Sequence, residues 1–302
     1  MQQFFEYSTE VREAMQAKKP VLALESTLIT HGLPFPQNIE TAMVVEQIAR
    51  DHDVTPATIA IMQGKVKIGL SSSELETLVY DSQRVKASQR DIPYVLSMGL
   101  NAGTTVASTL FCAHHAGIKI FATGGIGGVH RGDDQDISAD LIELSRTPLA
   151  LVCAGAKAIL DLSKTMELME TLSIPVVGYR TEYLPAFYSS TSPYSLPIKV
   201  DDLAALVKLL QAHWQLNLSA GMLIANPIPV EDEIPAEIIE PVISAALKKA
   251  EQQHIRGKAI TPFLLNEVRL ATQGQSLQTN IQLIKNNVKL GAELAKALGN
   301  LN

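Results

Sequence analysis

The chain has 302 residues, of which 46% are hydrophobic and 19% are charged. These proportions exclude a disordered chain and fit a well-packed globular protein. Its 25 basic and 31 acidic residues give a net charge of −6, which argues against duplex nucleic acid as the main partner. A small phosphate ester is not excluded, because one or two lysines and a few backbone amides can bind it.

The elements predicted from apolar spacing alternate between strand and helix along most of the chain. In chain order they are helix 8–18, strand 20–27, helix 38–50, strands 57–62 and 65–70, helix 71–78, strand 93–99, helix 104–115, strand 118–124, helix 136–145, strand 148–155, helix 156–172, strand 175–180, helix 201–214, strand 221–228, and helices 236–254, 263–273 and 276–298. This alternation predicts an α/β fold built from βαβ units, with helices on both faces of the sheet.

The chain shows no internal repeat, low-complexity tract or flexible linker, so we expect a single domain over residues 1–302. Its longest loop, 183–199, is a packed surface segment that could act as a lid. The two cysteines, Cys112 and Cys153, lie in apolar runs without a CxxC partner and are expected to be free thiols in a reducing compartment. Neither a secretory signal nor an apolar run of about 20 residues is evident, so a cytoplasmic protein without membrane contact is expected.

Polar side chains follow several predicted strands, where α/β enzymes place their active sites. Glu25 ends the strand 20–27, and burial there would raise its pKa and suit it to general-acid catalysis. The alternative is a structural glutamate paired with a cation. Lys157 follows the strand 148–155 among small residues. It either extends to the surface at the start of a helix or is a desolvated amine that attacks a carbonyl carbon.

Two further segments could bind an anion or a metal. Gly103 and Thr104 open a predicted helix, whose free N–H groups could hold a phosphate, although an ordinary βα turn with a threonine cap is the favoured explanation. Asp136 and Asp140 are four residues apart and would share a helix face, as a Mg²⁺ or Mn²⁺ site requires. The alternative is that acidic residues stabilise a helix N-terminus. By default Lys86 would be a solvated surface lysine.

Five segments together resemble the pseudouridine-5′-phosphate glycosidases, a family that also includes proteins named for indigoidine biosynthesis. The segments are ALESTLITHGLPFPQN, PATIAIMQGKVKIGL, ATGGIGGVHRG, DISADL and VCAGAK. The resemblance extends from about Val21 to the C-terminal helix. It implies a three-layer α/β/α fold with a mixed central sheet, assembled as a homotrimer. It also implies a Mn²⁺-dependent enzyme, or one using another divalent cation such as Mg²⁺, that reversibly cleaves pseudouridine 5′-phosphate to uracil and ribose 5-phosphate.

The resemblance assigns roles to individual residues of this chain. It implies that Lys157 is the nucleophile, which forms a Schiff base with C1′ of the opened ribose. Glu25 would be the proton donor that helps to open the ring, and Asp136 the metal-linked aspartate. The implied substrate contacts are Lys86 (to the phosphate), Val106, Ser138, Ala139 and Asp140, with Thr123, His130 and Asn280 around the base and sugar.

One segment departs from the family pattern. Only RGDDQ separates His130 from Asp136, about two residues fewer than the family has there. The shorter loop could change metal geometry and base specificity, and Asp133 or Asp134 could supply a replacement ligand.

Two other functions fit the same residues. One is a Schiff-base aldolase that acts on a different phosphosugar or modified nucleotide. The other is a phosphosugar-binding protein without catalytic activity. The presence of Glu25, Lys86, Asp136 and Lys157 together favours an active glycosidase.

Overall fold

A computed structural model describes residues 2–132 and 135–299 of the chain. Its strands are β1 (Phe5–Tyr7), β2 (Val21–Glu25), β3 (Thr55–Met62), β4 (Lys65–Ile68), β5 (Val85–Ala87), β6 (Ala102–Thr104), β7 (Ile120–Ala122), β8 (Val129–His130), β9 (Ala150–Cys153), β10 (Leu160–Asp161), β11 (Val176–Tyr179), β12 (Ile198–Val200) and β13 (Met222–Ala225). Its helices are α1 (Thr9–Gln16), α2 (Gln37–Asp51), α3 (Ser72–Tyr80), α4 (Ile92–Ser97), α5 (Val106–His115), α6 (Ala139–Leu144), α7 (Leu162–Thr171), α8 (Leu203–Gln215), α9 (Ala236–Gln252), α10 (Ile260–Ala271) and α11 (Gln275–Gly299).

Within the described residues, eleven strands form one sheet. Its main path runs β1-β4-β3-β2-β7-β9-β13-β11-β12, and β6 joins β3 with β5 beside it. Neighbouring strands are parallel from β3 through β2, β7, β9, β13 and β11 to β12, whereas β4 and β6 both run antiparallel to β3. A separate antiparallel pair is formed by β8 and β10. The prediction of a mixed sheet is therefore confirmed.

Helices flank this sheet and bury its apolar faces. The long helix α11 packs against β2, β7 and β9, with α2 and α8 beside it. Helix α5 packs against β2 and β3 and also contacts α6. One hydrophobic cluster extends through these layers from Val11 to Ala295, and a smaller one lies under α3. These contacts confirm the predicted α/β/α arrangement. The layers pack together because the sheet and the helices are apolar where they meet.

Local capping agrees with the sequence at two helices. The Ser8 hydroxyl accepts a hydrogen bond from Val11 N at the start of α1. Ser71 and Glu74 form a capping box at the start of α3, in which each side chain binds the other residue's backbone N–H. Both cysteines are buried free thiols. Among residues 2–132 and 135–299, the helices are too short or too polar to cross a bilayer.

The predicted strand 93–99 is wrong, because this segment forms helix α4. Pro93 occupies the first turn of that helix, where its missing N–H needs no partner. The same proline would remove a ladder hydrogen bond from a strand. The sheet is extended instead by β6, and Lys86 lies in the unpredicted strand β5 beside it.

Three predicted helix starts are also wrong. Helix α7 begins at Leu162 and not at 156, so a turn and the short strand β10 separate it from Lys157. Helix α6 begins at Ala139 after its N-cap Ser138, so Asp136 lies before the helix and shares no helix face with Asp140. Helix α5 begins after Thr105, its N-cap, and Thr104 belongs to β6.

Candidate active site

Three neighbouring parallel strands bring distant residues of the sequence to one edge of the sheet. Glu25 is the last residue of β2, Thr123 directly follows β7, and Lys157 lies four residues beyond the end of β9. Because parallel strands end at the same edge, these side chains converge there. The Thr123 hydroxyl donates a hydrogen bond to Glu25 Oε1. The prediction that polar groups gather at the strand ends is confirmed.

A cavity of about 340 Å³ opens at this edge. Ten of the predicted site residues line it: Glu25, Lys86, Val106, His130, Asp136, Ser138, Ala139, Asp140, Lys157 and Asn280. The remaining one, Thr123, does not line the cavity but is hydrogen-bonded to Glu25, which does. Residues from six separate parts of the chain thus share one cavity of a size that suits a small-molecule ligand.

Glu25 lies in a part of the cavity that favours its protonated form. Burial raises the pKa of this carboxyl group. The charge of Lys157 and the hydrogen bond from Thr123 oppose that effect, Asp140 adds to it, and the pKa remains raised. Glu25 therefore keeps its proton to a higher pH than an ordinary glutamate, as a proton donor requires.

The backbone around Lys157 is held by the loop 124–128 (GGIGG), here called the glycine-rich loop. Lys157 N donates to Ile126 O over 3.0 Å, and Ile126 N donates to Gly155 O over 3.1 Å. Gly155 has a φ of +78°, and a Cβ there would lie 2.6 Å from Pro185 O. Only glycine accepts this backbone conformation at such close approach. The lysine therefore projects from a fixed turn and not from the start of a helix.

A second set of contacts fixes the residues that follow Lys157. Arg131 Nη2 donates to Ala158 O over 2.7 Å, and its Nε donates to Leu160 O over 3.0 Å. The same guanidinium also pairs with Glu240 on α9. Arg131 thus joins the lysine-bearing turn to a neighbouring helix, which restrains the position of the amine.

Asp140 is buried, and both of its carboxylate oxygens accept backbone hydrogen bonds. Oδ1 accepts from Ala107 N at 2.9 Å, and Oδ2 accepts from Gly127 N at 2.8 Å. The side chain therefore joins α6 to the first turn of α5 and to the glycine-rich loop. Gly127 must lack a side chain, because a Cβ would collide with Ser138 Oγ.

Replacing Asp140 with asparagine is expected to lower the free energy of unfolding by about 1–3 kcal/mol. The amide places an N–H₂ group against one of the two backbone donors, which leaves a buried donor without an acceptor. Urea unfolding measures the change, with Asp201→Asn as a control at an exposed ion pair. Equal stability of the two variants would show that the two backbone contacts contribute little.

Asp136 is the residue that could hold a divalent cation. Its side chain lines the cavity, and His130 N fixes its backbone by donating to Asp136 O over 3.0 Å. In the described part of the chain, no three His, Cys, Asp or Glu residues are grouped as metal ligands. A cation held here would be bound through one carboxylate, with water and substrate oxygens completing its shell. Asp133 and Asp134, proposed as replacement ligands, lie outside the described residues.

The sequence did not identify several cavity residues. His31 and Thr27 come from one turn of π-helix (Leu28–Gly32) and its N-cap, directly after β2. The remaining unpredicted lining residues are Leu28, Gly32, Ser88, Arg90, Thr105, Gly124, Gly125, Gly127, Ile137, Leu160, Phe187, Gly257, Thr261, Pro262 and Leu265. Two sequence signals were available for His31: it follows Glu25 by six residues, and it lies in the segment ALESTLITHGLPFPQN, which carries the family resemblance.

Two buried polar atoms at this site accept no hydrogen bond from the described part of the chain. They are Thr27 Oγ1 and Asn280 Oδ1. A buried polar atom without a partner costs about 1–3 kcal/mol, so such atoms indicate a place for a ligand. Asn280 comes from α11, and its position supports the predicted polar contact at this wall.

The comparisons with known proteins agree with this arrangement. The chain belongs to the family of indigoidine synthase A-like proteins, whose family model matches residues 10–297. It is 53% identical over 300 residues to the pseudouridine-5′-phosphate glycosidase of Geobacillus kaustophilus. The alignment covers 99% of this chain and 100% of that relative. The family resemblance found in the sequence and the prediction of an enzyme are confirmed.

Two solved structures share the fold. An indigoidine synthase A-like protein from Thermotoga maritima superposes with a TM-score of 0.90 at 35% identity, covering 98% of this chain and 97% of its own. The prealnumycin C-glycosynthase AlnA, solved in complex with ribulose 5-phosphate, superposes with a TM-score of 0.91 at 37% identity, covering 99% and 98%.

Proposed function

We propose that this protein reversibly cleaves the C–C glycosidic bond of pseudouridine 5′-phosphate to give uracil and ribose 5-phosphate. The observation that carries the proposal is the pairing, in one cavity, of Lys157 with a glutamate whose pKa is raised. The curated relative named for this reaction supports the substrate. The solved C-glycosynthase supports a sugar phosphate as ligand of this fold.

The bond to be broken explains why a lysine is needed. A C–C glycosidic bond has no leaving oxygen or nitrogen to protonate, so a pair of carboxylates does not suffice. In the first step, the lone pair of Lys157 Nζ forms a bond to C1′ and the C1′–O4′ bond breaks. O4′ takes the proton of Glu25, which becomes a carboxylate. The product is an open-chain sugar attached to the enzyme through nitrogen.

The second step releases the base. After the first step Nζ of Lys157 is a secondary ammonium, and it regains its lone pair by giving a proton to the Glu25 carboxylate. C5 of uracil then takes this proton from Glu25, and the electron pair of the C1′–C5 bond restores the C5=C6 double bond. The nitrogen lone pair of Lys157 forms the C1′=N bond of an iminium at the same time. Water then hydrolyses this Schiff base to the aldehyde of ribose 5-phosphate and frees the amine. One water molecule is consumed overall, and no oxidant is needed.

We propose that Lys86 and Arg90 lie at the phosphate end of the cavity. Both cations line it near Val106, the first residue of α5, whose helix N-terminus also favours an anion. Asp136 would hold Mn²⁺ or Mg²⁺ in this proposal. The ion, when bound, would offset the negative charge of the phosphate.

Replacing Lys86 with methionine is expected to raise KM for the phosphorylated substrate about 10- to 150-fold, because a charge-assisted hydrogen bond contributes about 1.5–3 kcal/mol. Initial rates with pseudouridine 5′-phosphate and with pseudouridine measure the effect. Lys65→Met is the control, since that lysine bonds to the backbone of Gln3 at the surface. A Lys86→Met enzyme that keeps its preference for the phosphorylated substrate would contradict the assignment.

The proposed function is tested by incubating the purified protein with pseudouridine 5′-phosphate and detecting uracil by chromatography. Mn²⁺, Mg²⁺ and a chelator are compared in parallel, with the N-linked isomer uridine 5′-phosphate as the control substrate. We expect uracil only from the C-linked substrate and only with metal. Turnover of a different phosphosugar would favour the aldolase, and thermal stabilisation by ligand without turnover would favour a binding protein.

The homotrimer also stays a proposal. Light scattering on the protein as it elutes from a size-exclusion column is expected to give three times the mass of the 32.7 kDa chain.

A further inference from the structure

The π-helical turn after β2 places a histidine in the cavity wall. His31 lines the main cavity and also an adjoining cavity of about 210 Å³. Arg84 holds this turn, because its Nε and Nη2 donate to Thr30 O over 3.2 and 3.0 Å. The backbone beside the imidazole is therefore fixed, and the ring has a defined position relative to a ligand.

The hydrogen bonds around Thr30 determine which ring nitrogen of His31 carries the proton. Thr30 Oγ1 lies 3.0 Å from Ser26 O and 2.8 Å from His31 Nδ1. Of these two oxygens only the threonine hydroxyl has a proton, and Thr30 Oγ1 donates it to Ser26 O. Thr30 Oγ1 must then accept a hydrogen bond from His31 Nδ1–H. The other nitrogen, Nε2, is left with a free electron pair.

The ring is also uncharged at neutral pH. Burial and, to a smaller extent, the nearby cations Arg84 and Lys86 together lower the pKa of His31 to about 4. The other charged groups that line the two cavities are Glu25, Arg90, Asp136, Asp140, Lys157 and Arg269. So low a pKa makes His31 a weak base, so its Nε2 is better suited to accepting a hydrogen bond than to removing a proton.

We propose that His31 is a substrate-binding residue whose Nε2 accepts a hydrogen bond from a donor group of the substrate. The identity of that ligand rests on the proposed function, which offers two kinds of donor. Ribose 5-phosphate has hydroxyl groups, and uracil has N–H groups. Either compound would offer one hydrogen-bond donor to the uncharged Nε2 of His31. Asn280 Oδ1, a buried acceptor without a hydrogen-bond partner in the described residues, lines the same cavity.

The tautomer is tested by NMR of the full-length protein labelled with ¹⁵N-histidine, with His31→Gln used to assign the resonances. We expect His31 to show a protonated Nδ1 and an unprotonated Nε2, and to stay uncharged at pH 5.5, where an ordinary histidine is mostly charged. A ring protonated at Nε2, or charged at pH 5.5, overturns the inference.

Two variants of Thr30 test the cause of the tautomer. Thr30→Val removes the hydroxyl and keeps the shape of the side chain, so the Nε2–H form is expected to become populated. Thr30→Ser keeps the hydroxyl and is expected to keep the Nδ1–H form. Identical spectra for the two variants would show that Thr30 does not set the tautomer.

The ligand is tested in the same spectra by adding ribose 5-phosphate and uracil separately at saturation. One of them is expected to shift the Nε2 resonance upfield, and the one that does so identifies the donor. Bound ligands that leave Nε2 unchanged in both experiments overturn the assignment. If neither compound binds, the proposed function fails and the ligand assignment fails with it, whereas the tautomer is still decided by the unliganded spectrum.

Kinetics give an independent measure. His31→Ala is expected to raise KM about tenfold with a smaller effect on kcat, because one hydrogen bond to the substrate is lost. His31→Gln is expected to recover most of that loss, since its side-chain oxygen can act as an acceptor near the position of Nε2. Equal KM values for the wild type and His31→Ala, or for the alanine and glutamine variants, would contradict the proposal.

Discussion

Replacing Lys157 with alanine is expected to lower kcat/KM for pseudouridine 5′-phosphate by about 10⁴-fold or more, because the proposed reaction has no other nucleophile. The substitution removes an amine that projects from a fixed turn, so the fold is expected to survive it. Steady-state rates of uracil release measure the loss. Lys199→Ala serves as the control, since Lys199 pairs with acidic residues at the surface.

The covalent step can be observed directly by comparing the wild type with Lys157→Ala. Borohydride added with ribose 5-phosphate should reduce the iminium to a stable amine. The protein then gains the mass of ribose 5-phosphate less one oxygen atom, and peptide mapping should place the adduct on Lys157. An adduct on another lysine, or full activity of Lys157→Ala, would reject Lys157 as the nucleophile. If Lys157→Ala loses activity but the wild type forms no adduct, the result would favour a role for the lysine charge alone.

Replacing Glu25 with glutamine is expected to lower kcat/KM by about 10²- to 10⁴-fold, the usual contribution of a general acid. Glu25 acts in its protonated form, and burial raises its pKa. The rate of the wild type should therefore fall as pH rises through that raised pKa. The glutamine variant cannot lose a proton, so this descending limb is expected to be absent from its pH profile.

Thr123 offers a matched test of the same assignment. The hydrogen bond from Thr123 lowers the pKa of Glu25, so Thr123→Val is expected to move the descending limb to higher pH. Thr123→Ser keeps the hydroxyl and should leave the limb near its original place. A limb that persists in Glu25→Gln, or that does not move in Thr123→Val, would assign it to a different group.

Much of the site could be predicted because the residues that carry it stand next to regular elements. The apolar run before Glu25 and the run before Lys157 each predict a strand, and the carboxyl ends of parallel strands meet. The family resemblance then predicted a metal-linked role for Asp136 and a substrate contact for Lys86, which by itself looks like a solvated lysine. The structure places all four residues at one cavity.

What the sequence alone determined is the alternation of strands and helices, the family and the principal residues of the site, because these depend on local periodicity and on motifs. Only the tertiary structure decided features that depend on contacts between distant segments. Residues 92–97 form a helix although the apolar pattern of 93–99 suits a strand. Asp136 lies before the helix that carries Asp140, although the spacing of the two residues suits one helix face. The environment of His31 requires Arg84, Thr30 and Ser26 to meet around one turn, and Asn280 reaches the cavity from a helix near the end of the chain. Local sequence patterns carry no information about such pairings, because their energies come from burial and hydrogen bonds that exist only once the sheet and its helices have packed together.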